Sequence, residues 1–434
     1  MLIYSALLTV GLALSAPWWL VRMATTRRYR EGMRQRVGRV PASLTDGAEA
    51  KRIVWVHAVS VGEVLAASRL VNELDAALGD GFRVVVSTTT RTGQALARKR
   101  FGKQQVFYMP LDFGFAVRAY LDALKPTALI LMESELWPRM LYECGRRNIP
   151  VAVVNARMSD RSFKRAMRVR SVWARVMRRP TLWLAQSHSD AQRLVLAGVC
   201  SESVQVVGNL KYDVRAPKHS PIAEIIRRAA EGRKIVVAGS TVGVRQKLED
   251  RIFLDVVMRP VWEGRAGALL VLAPRHPERF DEVAKMAEAF APTVRATLLL
   301  QRGEDVPLTE GVVVLDTIGD LAAVYGVASA AFVGGSLVPG GGHNPLEPAQ
   351  FGVPVVMGPS FENFRDIVAN MKEKGGIAIV KDALQCRDVL LSLLSESPFA
   401  REMGELGRQV FEEQQGATGR AVEALLAMIH GASR

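Results

Sequence analysis

Cysteine is scarce in this sequence. Only three cysteines occur among 434 residues, at positions 144, 200 and 386. They lack paired spacing, which excludes a disulfide scaffold and a cysteine-rich zinc module. A reducing compartment is the simplest interpretation. With 49% hydrophobic and 23% charged residues, the composition also excludes a disordered chain, and the length predicts two or three domains.

Charge is absent from residues 1–21. Such a stretch is long enough for one membrane-spanning helix, and no basic region precedes it as in a cleaved signal peptide. Trp18 and Trp19 lie where an interfacial belt would form. We therefore predict a retained membrane anchor, spanning the membrane or lying in its surface, with the protein body in the cytoplasm. An arginine cluster follows it: Arg22, Arg27, Arg28, Arg30, Arg34, Arg36 and Arg39.

Acidic residues are also scarce in the first half of the chain. Residues 1–215 hold 33 Lys and Arg against 16 Asp and Glu, a net charge of +17, whereas residues 216–434 carry −3. Eight cations without an acid between residues 161 and 179, interleaved with apolar side chains, predict a basic amphipathic helix. This excess indicates a polyanionic partner: an anionic membrane surface, an anionic substrate or nucleic acid.

Short apolar runs alternate with longer helical stretches after the N-terminal segment. Runs buried on both faces predict parallel sheets, and a Pro-rich, charged break at 213–222 predicts two doubly wound α/β domains. The expected parts are an anchor (1–21), a basic linker (22–48), an N-terminal domain (49–213), a C-terminal domain (214–400) and helices packing back on the first domain (401–434). The predicted strands are 52–58, 82–88, 128–133, 151–156, 181–186, 204–209, 234–239, 268–273, 311–316, 330–335 and 354–358.

Polar residues follow several predicted strands of the first domain. Glu63 is either a glutamate in the first turn of a helix or a general base at the carboxyl edge of the sheet. The hydroxyl-rich segment 87–93 suits helix capping, and also sugar or anion binding. Residues 133–138 place two carboxylates at a strand end, either as a solvated loop or, with Glu63, as an acid/base pair or a site for a cationic group. Lys211 is either an exposed loop lysine or a ligand for phosphate or carboxylate.

The second half carries the signals for an anion. Residues 238–241 are small enough for backbone N–H groups to approach a phosphate, and Arg275 lies in a stiff loop between prolines. Residues 332–359 combine strand, glycine-rich loop, helix and strand, and Glu347 could accept hydrogen bonds from a ribose. The loop lacks the lysine of a P-loop and the GxGxxG spacing of dinucleotide sites.

These motifs, in this order, resemble the bacterial 3-deoxy-D-manno-octulosonic acid (Kdo) transferases of lipopolysaccharide synthesis. The resemblance covers nearly all of the chain and implies a GT-B architecture, with two Rossmann-like domains and an active site between them. It further implies transfer of Kdo from CMP-Kdo to a lipid A precursor (lipid IVA) at the cytoplasmic face of the inner membrane. The motifs are HAVSVGEV, STTTRTG, MPLD, ESELWP, NARMS, GNLKYD, AGST, APRHPERF, DTIGDL and VGGSLVPGGGHNPLEPA.

By motif match, the resemblance implies that Glu63 is the general base and that Glu133 and Lys211 stabilise the transition state. The CMP-binding residues that it implies are Pro274, Arg275, Ile318, Gly319, Asp320, Asn344, Pro345, Leu346 and Glu347. Similar enzymes usually carry a GEE-like acidic turn after AGST, but this chain reads VGVRQKLED, in which Glu249 is the candidate replacement. No DxD-like pair lies near the donor loops, so we predict transfer without a metal ion or cofactor. Direct displacement by the acceptor predicts inversion at the anomeric centre.

Two rival interpretations remain at the level of sequence. One is a different GT-B protein, either another lipid-linked glycosyltransferase or a sugar-nucleotide epimerase. The other, of a different class, is a membrane-anchored nucleic-acid-binding protein, suggested by the +17 half. The lack of aromatic RNA-binding motifs and the carboxylates at strand ends argue against nucleic acid as a partner.

Overall fold

The computed structural model describes residues 2–25, 31–45, 51–213, 220–244, 247–263, 267–302, 311–395 and 398–431. The chain forms two compact units, Met1–Val214 with Gln415–Arg434, and Arg215–Gln414. Arg27, Arg28 and Arg30 of the predicted cluster, and residues 214–219 of the predicted break, lie outside the described residues.

A parallel sheet of seven strands lies in the described part of the first unit, in the order β3-β2-β1-β4-β5-β6-β7. Its central strands are apolar and fully buried, as the sequence predicts for strands covered on both faces. The strands are β1 (Arg52–His57), β2 (Phe82–Thr88), β3 (Val106–Tyr108), β4 (Ala128–Met132), β5 (Val151–Ala156), β6 (Leu182–Ala185) and β7 (Val204–Val206).

Helices cover both faces of this sheet. Those before the second unit are α1 (Leu2–Thr25), α2 (Met33–Arg36), α3 (Ala42–Thr45), α4 (Val61–Leu78), α5 (Arg91–Phe101), α6 (Gly114–Leu124), α7 (Pro138–Arg146), α8 (Asp160–Arg168), α9 (Arg170–Met177) and α10 (His188–Ala197). The period of two along β1 sends Trp55 to a cluster with Phe107 and Tyr120, and Val54 to the opposite cluster.

The second unit repeats this architecture. A parallel sheet of seven strands lies in its described part, in the order β12-β13-β11-β8-β14-β15-β16, beside a hairpin of β9 and β10. The strands are β8 (Ile235–Thr241), β9 (Gly243–Val244), β10 (Lys247–Leu248), β11 (Leu269–Pro274), β12 (Thr293–Arg295), β13 (Val312–Val314), β14 (Ala330–Val333), β15 (Val355–Met357) and β16 (Ala378–Ile379).

The helices of the second unit include a π-helical segment, Phe253–Met258, between α12 and α13. They are α11 (Pro221–Ala229), α12 (Glu249–Ile252), α13 (Arg259–Glu263), α14 (Phe280–Glu288), α15 (Ala296–Arg302), α16 (Leu321–Val324), α17 (Leu346–Ala349), α18 (Arg365–Glu373), α19 (Ala383–Leu394) and α20 (Pro398–Glu413). The last helix of the chain, α21 (Ala417–Gly431), belongs to the first unit.

Three sequence predictions differ from the structure in detail. No helix in the described ranges is long and apolar enough to cross a membrane, so the predicted membrane anchor is not shown. The predicted basic helix over 161–179 is divided into α8 and α9, because the backbone of Val169 leaves the helical region at φ −121° and ψ 24°. Of the predicted C-terminal helices within 401–434, α21 belongs to the first unit, whereas α20 lies in the second.

Asp213 fixes the start of α21. Its carboxylate is 3% exposed and accepts hydrogen bonds from the backbone N–H groups of Gly416 (2.7 Å) and Thr418. These are among the N–H groups that a helix leaves unpaired at its N-terminus, so Asp213 caps α21 from a distant part of the chain.

We expect Asp213→Ala to destabilise the docking of α21 by about 1–2 kcal/mol, because two N–H groups, one of them buried, lose their acceptor. Hydrogen exchange of the α21 amides measures this effect. Asp80→Ala, which removes an exposed carboxylate of the same unit, is the matched control. Unchanged exchange in Asp213→Ala would show that packing alone holds the helix.

Candidate active site

The strand order of the first sheet reverses between β1 and β4. From β1 the chain proceeds outward through β2 and β3, and then returns to place β4 on the other side of β1. In open parallel sheets, ligands bind at the carboxyl ends of the strands where the order reverses. Glu63 follows β1 and Glu133 follows β4, so the fold places both predicted residues at this point.

Glu63 lies in the first turn of α4 and is 8% exposed. Its Oε2 atom accepts a hydrogen bond from the Val59 N–H (2.8 Å), and its Oε1 atom accepts one from the Ser60 hydroxyl (3.1 Å). These contacts tie Glu63 to the segment that leads into α4, in which Ser60 is the N-cap residue and its hydroxyl makes no hydrogen bond to a helix N–H. The structural role that the sequence suggested is therefore present, but each oxygen keeps a lone pair for a further partner.

The pKa of Glu63 is raised to about 7, mainly by burial. The neighbouring carboxylates of Glu133 and Glu135 contribute to this rise, whereas the hydrogen bonds from Val59 and Ser60 oppose it. A carboxylate with a pKa close to the working pH is an effective general base, because much of it is ionised and it still binds a proton well.

Glu133 is held in a strained conformation beside a cation. Its φ is +55°, a left-handed value that is costly for residues other than glycine. Its Oε1 atom accepts a hydrogen bond from Lys211 Nζ at 3.0 Å, and both side chains are partly exposed. Such strain persists where the surrounding structure enforces it, often at functional sites.

A second left-handed residue, Asn155, positions Lys211. Asn155 has φ +58°, is fully buried, and its Oδ1 atom accepts a hydrogen bond from the Leu210 N–H at 3.1 Å. The Lys211 N–H donates in turn to Asn209 Oδ1 at 3.0 Å. The motif NARMS contains Asn155, but the sequence indicates no role for this residue. Asparagine tolerates left-handed backbone conformations, which was the available signal.

The hydroxyl-rich segment 87–93 is largely committed to internal contacts. The Ser87 hydroxyl accepts from Trp55 Nε1 at 2.7 Å, and Thr88 donates to Gln94. The Thr90 hydroxyl accepts from the Gly93 N–H at 3.1 Å and so caps α5. The sequence left helix capping and sugar or anion binding both open for this cluster. These three hydroxyls make structural contacts, whereas the buried Thr89 hydroxyl has no hydrogen-bond partner among the described residues.

The second sheet also reverses its strand order, between β8 and β14. Arg275 follows the neighbouring strand β11, and its N–H donates to the Thr241 carbonyl at 2.9 Å. The exposed Arg275 side chain lies close enough to lower the pKa of Glu347, which burial raises to about 7. Burial, together with the nearby charges of Arg275 and His276, lowers the pKa of His343 to about 4. The structure thus brings Arg275 and Glu347 together.

The other predicted CMP-binding residues differ in how they are exposed. Ile318 is 82% exposed, and Gly319 has φ +101°, which favours glycine at this turn. Asp320 precedes α16, and Asn344 Oδ1 accepts from the Leu346 N–H at 3.1 Å. Three of the segment residues have buried side chains and therefore pack in the interior: Pro274, Pro345 and Leu346.

Sequence comparisons identify the family. The family model of the 3-deoxy-D-manno-octulosonic acid transferases matches residues 31–214. A 3-deoxy-D-manno-octulosonic acid transferase of Haemophilus influenzae is 32% identical over 410 residues, covering 92% of this chain and 91% of that protein. The Bordetella pertussis protein of the same name is 33% identical over 380 residues, covering 86% of each chain. This chain belongs to the Kdo transferase family.

A structural comparison agrees with the fold of this glycosyltransferase. The crystal structure of Acinetobacter baumannii MurG has a TM-score of 0.54 at 15% identity, with 86% of this chain and 99% of that chain covered. At such low identity the likeness shows only the fold, which is that of a GT-B protein with two doubly wound α/β units. Membership of the Kdo transferase family favours the transferase interpretation over an epimerase or a nucleic-acid-binding protein.

No group of three or more His, Cys, Asp and Glu side chains suited to holding a metal ion occurs within the described ranges of this Kdo transferase. Metal independence stays a prediction. The cations found beside the candidate residues are Lys211, against Glu133, and Arg275, near Glu347.

The raised pKa of Glu63 predicts a pH-dependent loss of stability. A carboxyl whose pKa is 4.5 in the unfolded chain and about 7 in the folded chain binds its proton more tightly when folded. The resulting stabilisation is present below pH 4.5 and is lost as the pH rises through about 7. The non-titrating variant Glu63→Gln should therefore become more stable relative to wild type across this interval, by up to about 3 kcal/mol.

Urea midpoints of the first unit, measured for both proteins across the interval, test this expectation. Asp75→Asn, which changes an exposed carboxylate of the same helix, is the control and should show no such trend. A stability difference independent of pH would contradict the raised pKa.

Proposed function

We propose that this Kdo transferase moves Kdo from CMP-Kdo to a lipid A precursor, with Glu63 as general base and inversion at the anomeric carbon. The observation that carries the proposal is a buried carboxylate with a pKa of about 7, at the strand-order reversal and among the charged groups Glu133 and Lys211. The alternative, a purely structural role at the start of α4, does not account for two further carboxylates near Glu63.

In the proposed step, the Glu63 carboxylate takes the proton of the acceptor hydroxyl. The acceptor oxygen forms a bond to the anomeric carbon of Kdo as the bond from that carbon to the CMP phosphate oxygen breaks, and CMP leaves with the electron pair. The sugar passes through an oxocarbenium-like state, as in glycoside hydrolysis. Direct displacement by the acceptor inverts the anomeric centre, and the proton ends on Glu63.

Negative charge develops on the departing CMP phosphate. We assign its stabilisation to cationic side chains, because charge stabilisation by fixed groups is a large term in catalysis. Arg275 is exposed and close to the carboxylate of Glu347, which we assign to the ribose hydroxyls. Lys211 is held by Glu133, and we assign this pair to charge stabilisation beside Glu63. No step is assigned to a metal ion or cofactor.

We also propose that the first unit lies on the anionic cytoplasmic surface of the inner membrane. Four exposed apolar side chains of α1 support this: Val10, Leu12, Leu14 and Trp18. The cations of α8 and α9 are mostly exposed and suit anionic headgroups. Arg36, from the predicted arginine cluster, is excluded from this surface, because it stacks on Tyr108 with 4.6 Å between guanidinium carbon and ring centroid.

Product analysis with CMP-Kdo and a tetraacylated lipid A precursor tests the reaction, in buffer containing EDTA because no metal is assigned a step. Wild type should transfer Kdo with inversion, and Glu63→Ala and Glu63→Gln should lose about 10²–10⁴-fold in kcat, as expected for a general base. Asp75→Asn should retain wild-type turnover. Full activity in the Glu63 variants would refute the base assignment, and no transfer by wild type would refute the proposed reaction.

Sedimentation with lipid vesicles tests the membrane proposal. Reversing three exposed cations of α8, in the variant Lys164→Glu, Arg165→Glu, Arg168→Glu, should weaken binding to phosphatidylglycerol-rich vesicles at least about tenfold, since each basic residue near such a surface contributes about 1 kcal/mol. The control is Lys372→Glu, Lys381→Glu in the second unit, which should bind as wild type does. Equal binding to uncharged phosphatidylcholine vesicles would contradict an electrostatic attachment.

A further inference from the structure

Glu249 is a buried carboxylate that the proposed reaction does not use. Its side chain is fully buried, and each of its oxygens accepts two backbone N–H groups. Oε2 accepts from Val242 (3.2 Å) and Gly335 (2.6 Å). Oε1 accepts from Ser336 (3.0 Å) and Leu337 (2.9 Å). Four such bonds offset part of the cost of burying a charged group, although burial still raises the pKa of Glu249 above its ordinary value.

Glu249 occupies a position at which open α/β sheets usually bind a ligand. Val242 follows β8, and Gly335–Leu337 follow β14, so Glu249 lies at the carboxyl ends of the two strands between which the order reverses. Gly335 has φ +68°, and the three successive N–H groups converge on one anion. Such concave groups of N–H donors commonly bind phosphate, but here the chain supplies the anion itself.

The next residue extends the same arrangement. Asp250 is fully buried and accepts hydrogen bonds from the Thr241 hydroxyl and from Arg279 Nη2, the latter at 2.6 Å. Thr241 ends β8, and Arg279 lies in the turn after Arg275. The acidic pair therefore joins three segments with donor-site motifs: AGST, APRHPERF and VGGSLVPGGG.

We propose that Glu249 is a positioning residue of the donor site. Its carboxylate holds the loop after β14 against the end of β8, so the N–H groups at 335–337 shape the site and do not bind the donor phosphate. This inference rests on the proposed use of CMP-Kdo by the second unit.

The substitution Glu249→Gln is a sharp probe of this role. An amide NH₂ in place of either oxygen faces two backbone N–H donors, so two hydrogen bonds are lost whichever way the amide is turned. Glu249→Asp keeps the charge but is shorter by one methylene group, so it cannot reach all four N–H groups. The matched control is Glu402→Gln, an exposed carboxylate on α20 in the same unit.

The kinetic experiment measures KM for CMP-Kdo, KM for the acceptor and kcat in all four proteins. We expect Glu249→Gln to raise the donor KM at least about tenfold, while kcat and the acceptor KM change less than about threefold. Glu249→Asp should give an intermediate donor KM, and Glu402→Gln should match wild type. A carboxylate that only stabilises the fold would lower the active fraction, and so kcat, at an unchanged donor KM.

Two results would overturn the proposal: a folded Glu249→Gln protein with the wild-type donor KM, or a loss confined to kcat. If Glu249→Gln does not fold, Glu249→Asp decides, and a wild-type donor KM in that variant would overturn the proposal. Calorimetric titration with CMP separates this inference from the proposed reaction. A wild type that binds CMP without transferring Kdo would refute the reaction, and the Kd of CMP in the variants would still test Glu249.

Discussion

Buried carboxylates that accept hydrogen bonds from backbone N–H groups determine how the loops of this transferase are arranged. Helix N-termini leave N–H groups unpaired, and a buried carboxylate needs donors, so each satisfies the other. Asp112 does this for α7, accepting from the N–H groups of Arg139 and Met140 at 2.8 Å each. Asp213 does it for α21, and Glu249 for the loop after β14. These contacts link segments that are far apart in the sequence.

Glu63 differs from these residues in how fully its oxygens are used. Glu249 accepts four backbone N–H groups and has no lone pair left for a substrate, whereas Glu63 accepts one N–H and one hydroxyl. Glu63 also faces the like charges of Glu133 and Glu135, which contribute to its raised pKa. The same side-chain type is thus structural where its donors saturate it, and it keeps free lone pairs for the proposed reaction where they do not. This distinction depends on three-dimensional contacts.

The sequence predicted the interior of the fold well and its edges poorly. All the predicted strands occur, and all of them except the half-buried to exposed edge strand β7 are largely buried apolar runs. The strands that it missed include β3, β12 and β16, which lie at sheet edges and have only two or three residues each, too few for a recognisable run. The motif match led to Glu63 and Lys211. Glu249 contacts residues that lie 86 to 88 positions later in the sequence, so no local pattern could reveal these contacts.

The return of α21 to the first unit has a consequence for how the protein is made. Ala421, Leu425 and Ile429 belong to the same hydrophobic cluster as Val54 and Leu70, so the first unit's core contains side chains from both ends of the chain. On the ribosome, residues 51–213 emerge long before α21, and the apolar surface that this helix covers stays uncovered while the second unit is synthesised. The second unit is contiguous in sequence and can fold first. The first unit is therefore synthesised before the second, but its core can be completed only after that of the second.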